Sequence, residues 1–185
     1  QLRQAVAERE AGQATSSEKL LESLLRALGT VDRDEVGWDP ALPMYVAQEI
    51  GLLEFDRGNY EAAVEHMEWS IRFGIAAEDG EDGAGTNPKV MRGVAAQVAS
   101  AASSKLGRFD QARDFAEQAY DIDPYSPLFR ETMAEAERNI DKGEAIASYE
   151  RALAIDTTLF STWNNLGVLL YQQGRREEAR SAFEQ

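Results

Sequence analysis

Apolar and polar positions follow one another along most of this chain with the period of an α-helix. Between Phe109 and Tyr120, for example, apolar side chains recur at steps of three and four residues. This spacing places them on one face of a helix, whereas a half-buried strand would show strict alternation. Sustained alternation with a period of two occurs nowhere in the sequence. The pattern therefore predicts an all-α fold built from amphipathic helices.

A short signal recurs at the start of several of these helices. A glycine is followed five residues later by an alanine in "GNYEAA" (58–63), "GRFDQA" (107–112) and "GRREEA" (174–179). Ala145 continues the series of alanines, because 33 residues separate it from Ala112 and 34 residues separate it from Ala179. Self-similarity at a fixed period of this size is typical of repeat architectures.

The spacing resembles that of the tetratricopeptide repeat, a helix-turn-helix unit of about 34 residues. The last copy matches the family pattern at Trp163, Leu166, Gly167, Leu170, Gly174, Ala179 and Phe183. The resemblance implies a right-handed superhelix, or α-solenoid, of stacked helix-turn-helix repeats. Small residues at Gly51, Ala134 and Gly167 would also let the two helices of one repeat cross closely.

The repeat spacing divides residues 1–185 into a single array. We predict a degenerate repeat at 1–29, a loop insertion at 30–43, a repeat at 44–77, an acidic, glycine-rich insertion at 78–92, repeats at 93–126 and 127–159, and a truncated repeat at 160–185. Insertions in a solenoid emerge as loops between helices, so the stack can continue past them. Because the chain starts at Gln1 and stops within the last unit, we expect it to be part of a longer protein.

The composition narrows the classes of partner. The chain has 33 acidic and 19 basic side chains, which gives a formal net charge of -14. A surface this acidic repels phosphate backbones and anionic lipid headgroups, so we expect neither nucleic acid nor a membrane surface as a partner. No apolar run approaches the roughly 18 residues that a membrane span needs. The acidic, lysine-poor composition favours a prokaryotic source, and both the cytoplasm and the periplasm are compatible with it.

Residues that could carry out catalysis or hold a metal ion are sparse. The chain has no cysteine, which excludes disulfides, thiolate nucleophiles and Cys-ligated zinc. The single histidine, His66, has neither a second histidine for a metal site nor a nucleophile motif beside it. The acidic segments "DRDEVG" (32–37) and "EDGEDG" (78–83) do not follow the EF-hand pattern, and we interpret them as solvated loops. We therefore expect no enzyme activity and no cofactor.

The resemblance further implies that a partner peptide or protein segment binds in a concave groove lined by the first helix of each repeat. The candidate groove residues are Tyr45, Gln48, Leu52 and Phe55 in one repeat, Gln97, Ala101 and Ser104 in the next, and Asn164, Val168 and Tyr171 in the last. Their apolar members are equally consistent with ordinary core between repeats.

Some members of the family clamp a terminal carboxylate with Lys, Asn and Arg at fixed positions of the first helices. In this chain those positions hold Gln48, Leu52, Val98, Leu128 and Thr132. None of these side chains is charged, so we expect no carboxylate clamp of that kind.

Two hypotheses from different classes follow. The first is a non-catalytic protein–protein interaction scaffold, with self-association through the apolar edge of the last helix at Ala179 and Phe183 as a further expectation. The alternative is a soluble appendage of a larger, membrane-embedded enzyme such as an O-antigen-ligase-like protein. Spans of about 20 apolar residues elsewhere in the parent protein would favour the alternative.

Overall fold

The computed structural model describes residues 41–78 and 87–185, together with residues 4, 19 and 23. Within these ranges it contains eight α-helices and no strand, which confirms the predicted all-α class. The helices are α1 (Leu42–Asp56), α2 (Tyr60–Glu78), α3 (Pro88–Lys105), α4 (Phe109–Ile122), α5 (Pro127–Glu137), α6 (Lys142–Ile155), α7 (Phe160–Gln172) and α8 (Arg176–Phe183). Several predicted segments lie wholly or largely outside the described ranges. They are the repeat at 1–29, the loop insertion at 30–43 and the acidic segments at 32–37 and 78–83.

The eight helices form four helical hairpins that stack side by side. Each first helix packs against the second helix of its own hairpin, and each second helix packs against the first helix of the next hairpin. The first helices α1, α3 and α5 also contact one another in sequence. This nearest-neighbour arrangement is an α-solenoid, and it brings the first helices together on one face, here called the first-helix face.

Three of the four hairpin turns have the same backbone geometry, and glycine is the reason. Gly58, Gly107 and Gly174 have φ values of +81°, +74° and +78°, a conformation in which a Cβ would be strained. In the first turn, the amide of Asn59 donates to the Glu54 carbonyl at 2.9 Å, and the amide of Gly58 donates to Phe55. The other two turns repeat both bonds. These paired bonds define the Schellman motif, which ends one helix and reverses the chain.

The turn between α5 and α6 lacks this glycine. The amides of Ile140 and Asp141 both donate to the Glu137 carbonyl at 2.8 Å. Four residues, 138–141, separate α5 from α6, against three in each of the other turns. The Asp141 side chain then accepts from the amides of Gly143 and Glu144, so it caps the start of α6. A side-chain cap therefore replaces the glycine turn in this hairpin.

Small residues set the distance between packed helices. Ala63, Ala112, Ala145 and Ala179, the alanines of the recurring signal, are all buried. A Cβ on Gly167 would lie 2.6 Å from Cε1 of Phe183, and one on Gly51 would lie 2.8 Å from the end of Met67. Real Cβ atoms do not come so close, so a side chain on Gly167 would displace the Phe183 ring, whereas the flexible end of Met67 could shift for one on Gly51. Both glycines lie where the two helices of a hairpin cross, as the sequence predicts.

Two large clusters of buried apolar side chains extend across α2 to α5 and across α5 to α8. The first contains Met67, Ala99, Phe115 and Phe129. The second contains Tyr149, Leu166 and Leu170. Helix α5 contributes to both clusters, so it lies at the point where they meet.

Two helices begin earlier than the repeat spacing suggests. Helix α1 begins at Leu42, within the segment assigned to an insertion at 30–43, and α3 begins at Pro88, within the segment 78–92. The Asn87 side chain accepts a hydrogen bond from the Lys89 amide at 3.0 Å, and Pro88 follows it at the first helical position. An asparagine cap followed by proline is a strong helix start, so α3 gains an extra turn.

Candidate functional site

An open channel runs between α3 and α5 on the first-helix face. It has a volume of about 320 Å³. Its walls are formed by Gln97, Ser100, Ala101, Ser104 and Lys105 of α3, and by Leu128, Glu131, Thr132, Glu135, Arg138 and Asn139 of α5 and its end. Among the described residues, the lining comes from two first helices and the residues that follow α5.

Small side chains on α3 leave the space for this channel. The segment "AAQVASAASS", residues 95–104, contains only alanine and serine apart from Gln97 and Val98. Ser100 is buried at the floor, whereas Ala101 is exposed. On the opposite wall the Thr132 hydroxyl donates to the Leu128 carbonyl at 2.9 Å, within its own helix. The floor therefore has short side chains and little charge.

Charged side chains follow the α5 wall in order. Glu131 and Glu135 lie one helical turn apart in the middle of the channel, and Arg138 lies at its end. Arg138 approaches Glu135 at 3.5 Å from Nη1 to Oε2, and their side chains are 40% and 37% exposed. Lys105, at the C-terminal end of α3, also lines the channel. The channel thus has a carboxylate middle and a cationic end.

Helix α7 closes the other side of α5 with hydrogen bonds. The Ser161 hydroxyl donates to Oε1 of Glu131 at 3.1 Å, and Nδ2 of Asn165 donates to Oε1 of Glu135 at 2.7 Å. We call these two bonds the α5–α7 ladder. Because both carboxylates are also part of the channel wall, the ladder fixes the positions of the channel's negative charges.

Glu135 has a third partner beneath the surface. The hydroxyl of Tyr149, on α6, donates to Oε1 of Glu135 at 2.5 Å, and Tyr149 is fully buried. Burial raises the pKa of Tyr149 well above its ordinary value, and the hydrogen bond and the negative charge of Glu135 raise it further. The phenol therefore stays protonated and keeps donating to the carboxylate.

The structure places the predicted groove residues in three different environments. Gln97, Ala101 and Ser104 line the channel. Asn164, Val168 and Tyr171 are exposed along α7, with Tyr171 at 61%. Tyr45, Leu52 and Phe55 are half-buried against core clusters, and Gln48 is only 3% exposed. The α1 residues thus serve mainly in packing, and Gln48 offers no accessible surface to a partner.

Sequence reasoning missed the channel residues of α5. Glu131, Glu135 and Arg138 stand 34 residues after Gln97, Ala101 and Ser104, so they occupy the same positions of the repeat. The same shift, taken one repeat further, leads to Asn164, Val168 and Tyr171 after a step of 33 residues. Adding this repeat length to the groove positions of α3 would have identified the three α5 residues.

A smaller cavity of about 160 Å³ lies on the other side of α5, lined by Tyr120, Arg130, Met133, Glu137, Ser148 and Arg151. The guanidinium of Arg130 stacks 5.4 Å from the centre of the Tyr120 ring. The Ser148 hydroxyl donates to Oε2 of Glu137 at 2.7 Å. Burial raises the pKa of Glu137 above its ordinary value of 4.5, although this hydrogen bond opposes the shift.

His66 takes part in packing within α2. Its Nδ1 lies 2.8 Å from the Ala62 carbonyl oxygen, and its ring contacts Trp69 edge to face. Within residues 41–78 and 87–185, no group of three His, Asp or Glu side chains is arranged to hold a metal ion. In the same ranges, no helix has the length and apolar character needed to cross a membrane.

Two segments of the chain match family models. A family model described as "Tetratricopeptide repeat" matches residues 96–126, and one described as "TPR repeat" matches residues 143–174. No curated protein sequence matches the chain.

Several solved structures have a similar fold. The chain is similar to the crystal structure of MamA, with 15% identity, coverage of 97% of this chain and 90% of that chain, and a TM-score of 0.72. The crystal structure of BtubC from P. vanneervenii is 17% identical, with coverage of 97% of this chain and 74% of that chain and a TM-score of 0.77. The crystal structure of YrrB, described as a TPR protein with an unusual peptide-binding site, is 14% identical, with coverage of 96% of this chain and 78% of that chain and a TM-score of 0.65. These similarities confirm the α-solenoid fold.

Proposed function

Because this chain carries tetratricopeptide repeats, we propose that it is a non-catalytic scaffold that holds an extended segment of a partner protein in the channel between α3 and α5. The observation that carries the proposal is the channel itself. It is partly open to solvent, and it lies on the face where successive first helices meet. A concave surface of this kind is what solenoid proteins use for binding.

The dimensions of the channel suit a short peptide. Its α5 wall extends from Leu128 to Asn139, a rise of about 16 Å at roughly 1.5 Å per helical residue. An extended chain covers that distance with about five residues. Gln97 and Ser104, on the α3 wall, offer an amide and a hydroxyl for hydrogen bonds to a peptide backbone. Peptide binding by YrrB, which shares the fold, supports this class of ligand.

The face continues beyond the channel onto α7. Asn164, Val168 and Tyr171 follow one another at steps of four and three residues, so they share one side of that helix. All three are exposed. A partner segment that crossed the first-helix face from the channel over α5 would contact this surface, with Tyr171 as an aromatic anchor.

A peptide-display experiment tests the proposal. A library of random 12-residue peptides would be selected against the wild-type chain and against Ala101→Trp, in which an indole fills the channel. Ala154→Trp is the matched control, because Ala154 is also an exposed helical alanine but lies on α6, away from the channel.

We expect the wild type and Ala154→Trp to enrich the same peptides and Ala101→Trp to enrich none of them. Helical circular dichroism should be the same for all three proteins. Enrichment of the same peptides by Ala101→Trp, or of none by the wild type, would overturn the proposal.

A further inference from the structure

The charges along the channel follow a fixed order, and this order specifies a partner sequence. Read from the start of α5 to its end, the wall presents Leu128, then Glu131 and Glu135, then Arg138. Leu128 is 45% exposed, although it is a large apolar side chain. The channel therefore offers an apolar contact, a negative region and a positive region, one after the other.

The spacing of these regions matches an extended chain. The midpoint between Glu131 and Glu135 lies about 7.5 Å from Leu128 along the helix axis, and Arg138 lies about 7.5 Å further, at roughly 1.5 Å per residue. In an extended peptide, alternate side chains point to the same side and are about 6.7 Å apart. Three alternate side chains of one peptide can therefore meet the three regions in order.

The α3 wall reinforces the positive region. Lys105 is exposed, lines the channel and is the last residue of α3, and Arg138 and Asn139 line it just after the end of α5. Two cations and an amide therefore lie at the C-terminal ends of the two walls. Arg138 is in turn near Glu135, but both remain more than one third exposed, so they are open to a ligand. Oε1 of Glu131 accepts from the exposed Ser161 hydroxyl, and its second oxygen remains available as an acceptor.

From this order we infer that the partner segment carries an apolar, a basic and an acidic side chain at alternate positions, with the apolar one at Leu128 and the acidic one at Lys105 and Arg138. The inference rests on the proposed function, and it deepens that function by stating the partner's chemistry. Lysine or arginine in the centre would pair with Glu131 and Glu135, and aspartate or glutamate would pair with the two cations. The channel would thus bind a basic and an acidic side chain of the partner, whereas a carboxylate clamp binds the carboxylate at a chain terminus.

The α5–α7 ladder makes this charge recognition possible. Exposed ion pairs are weak in part because two long side chains must be ordered when they form. Here Ser161 and Asn165 already hold both glutamates before any ligand arrives. Binding then costs less side-chain entropy than it would with free glutamates.

The test measures capped peptides against variants of the chain at low ionic strength. The probe is acetyl-Leu-Thr-Lys-Thr-Glu-amide, and a second probe reads the same residues backwards, because either chain direction satisfies the order. The comparison peptides replace Lys or Glu by Gln, one at a time, or exchange the two charged residues. The protein variants are Glu131→Gln and Lys105→Gln, which are surface changes, with Ala101→Trp as the blocked channel.

We expect the probe, in one direction, to bind the wild type roughly two- to fivefold more tightly than either Gln peptide, the range for an exposed ion pair. Glu131→Gln should weaken the preference for Lys and leave the preference for Glu, and Lys105→Gln should weaken only the preference for Glu. Added salt should reduce both preferences. These paired losses would not arise from a purely structural effect of either substitution.

The outcomes separate the two proposals. Binding that Ala101→Trp blocks but that ignores all charge changes would overturn this inference and leave the proposed function standing. Equal or tighter binding of the charge-exchanged peptide would also overturn it. If neither the probes nor the displayed library bound the wild type, both proposals would be wrong.

Discussion

The two junctions on either side of α5 have similar floors but different upper layers. Between α3 and α5, Phe129 packs in the apolar core beneath an open channel. Between α5 and α7, the core is covered by the α5–α7 ladder, in which Ser161 and Asn165 reach the two glutamates. One junction is thus open to a ligand, and the other is already filled by the protein's own side chains.

The difference shows that side-chain length decides which junction binds. On α3, the positions that face α5 hold Ala101 and Ser104, which are too short to cross the gap. On α7, Asn165 is long enough to bond directly to Glu135. The backbone arrangement repeats from hairpin to hairpin, whereas the surface chemistry does not. A solenoid can therefore assign binding to one junction and rigidity to the next with a few substitutions.

The largest expected effect on stability follows from a substitution in the apolar core beneath the junction of α3 and α5. Phe129→Ala removes a buried ring that lies against Gly93, where a Cβ would come within 2.6 Å of Cζ of Phe129. We expect a loss of about 3–5 kcal/mol in the free energy of unfolding, measured by urea denaturation. The control is Phe160→Ala, because Phe160 is 70% exposed. Similar midpoints for the two variants would show that Phe129 does not hold this junction.

The second-largest expected loss of stability concerns the junction of α5 and α7. Glu135→Ala leaves the buried hydroxyl of Tyr149 without its acceptor, and we expect a loss of about 1–3 kcal/mol. Adding Tyr149→Phe removes the orphaned hydroxyl, so the double variant should be less destabilised than the sum of the two single variants. Strict additivity in denaturation experiments would mean that the two side chains are not coupled.

A smaller effect should follow at the exposed end of the ladder. Glu131→Ala removes the acceptor of the Ser161 hydroxyl, and both side chains can bond to water instead. We expect less than about 1 kcal/mol. Glu135→Ala also removes the acceptor of the buried Tyr149 hydroxyl, so an equal loss for Glu131→Ala would contradict the ranking by burial.

The smallest effect concerns the opposite side of α5 and depends on pH. The pKa of Glu137 is raised, so the native state binds this proton more tightly than the unfolded state does. The contribution of Glu137 to the free energy of unfolding is therefore most favourable below pH 4.5, and it is lost as the pH rises through the raised pKa. Glu137→Gln should thus be slightly more stable than the wild type at pH 7, and this advantage should shrink towards pH 4.

Thermal unfolding across that pH range measures the difference. The control is Glu65→Gln, which changes an exposed carboxylate on α2. An advantage of Glu137→Gln that stays constant with pH would show that the burial of Glu137 does not govern its titration.

Much of the fold could be predicted because the repeat is encoded locally. The turn glycines and the alanines five residues later are visible in the sequence, and the structure shows the positive φ values and the burial that they require. The start of α3 could not be placed by repeat spacing, because a cap at Asn87 adds a turn that the period does not contain.

The candidate site could be predicted only in part. The small side chains of α3 were recognised as groove residues, but the distinction between an open and a closed junction depends on contacts between residues about 30 positions apart, such as Glu135 and Asn165. Gln48 has the same repeat position as Gln97, yet it is buried. Position in the repeat therefore predicts which face a residue is on, but not how much of that face is covered.

The glycine turns have a consequence for how the chain folds. Each Schellman turn closes within six residues, so a hairpin can form before distant parts of the chain have met. Chains rich in such local contacts fold fast, typically in microseconds to milliseconds. Their stability is carried by nearest neighbours, so unfolding can stop at a weak boundary instead of spreading through the whole array. Packing between consecutive helices from α1 to α8 is least extensive between α6 and α7, so we expect such a boundary there under mechanical load.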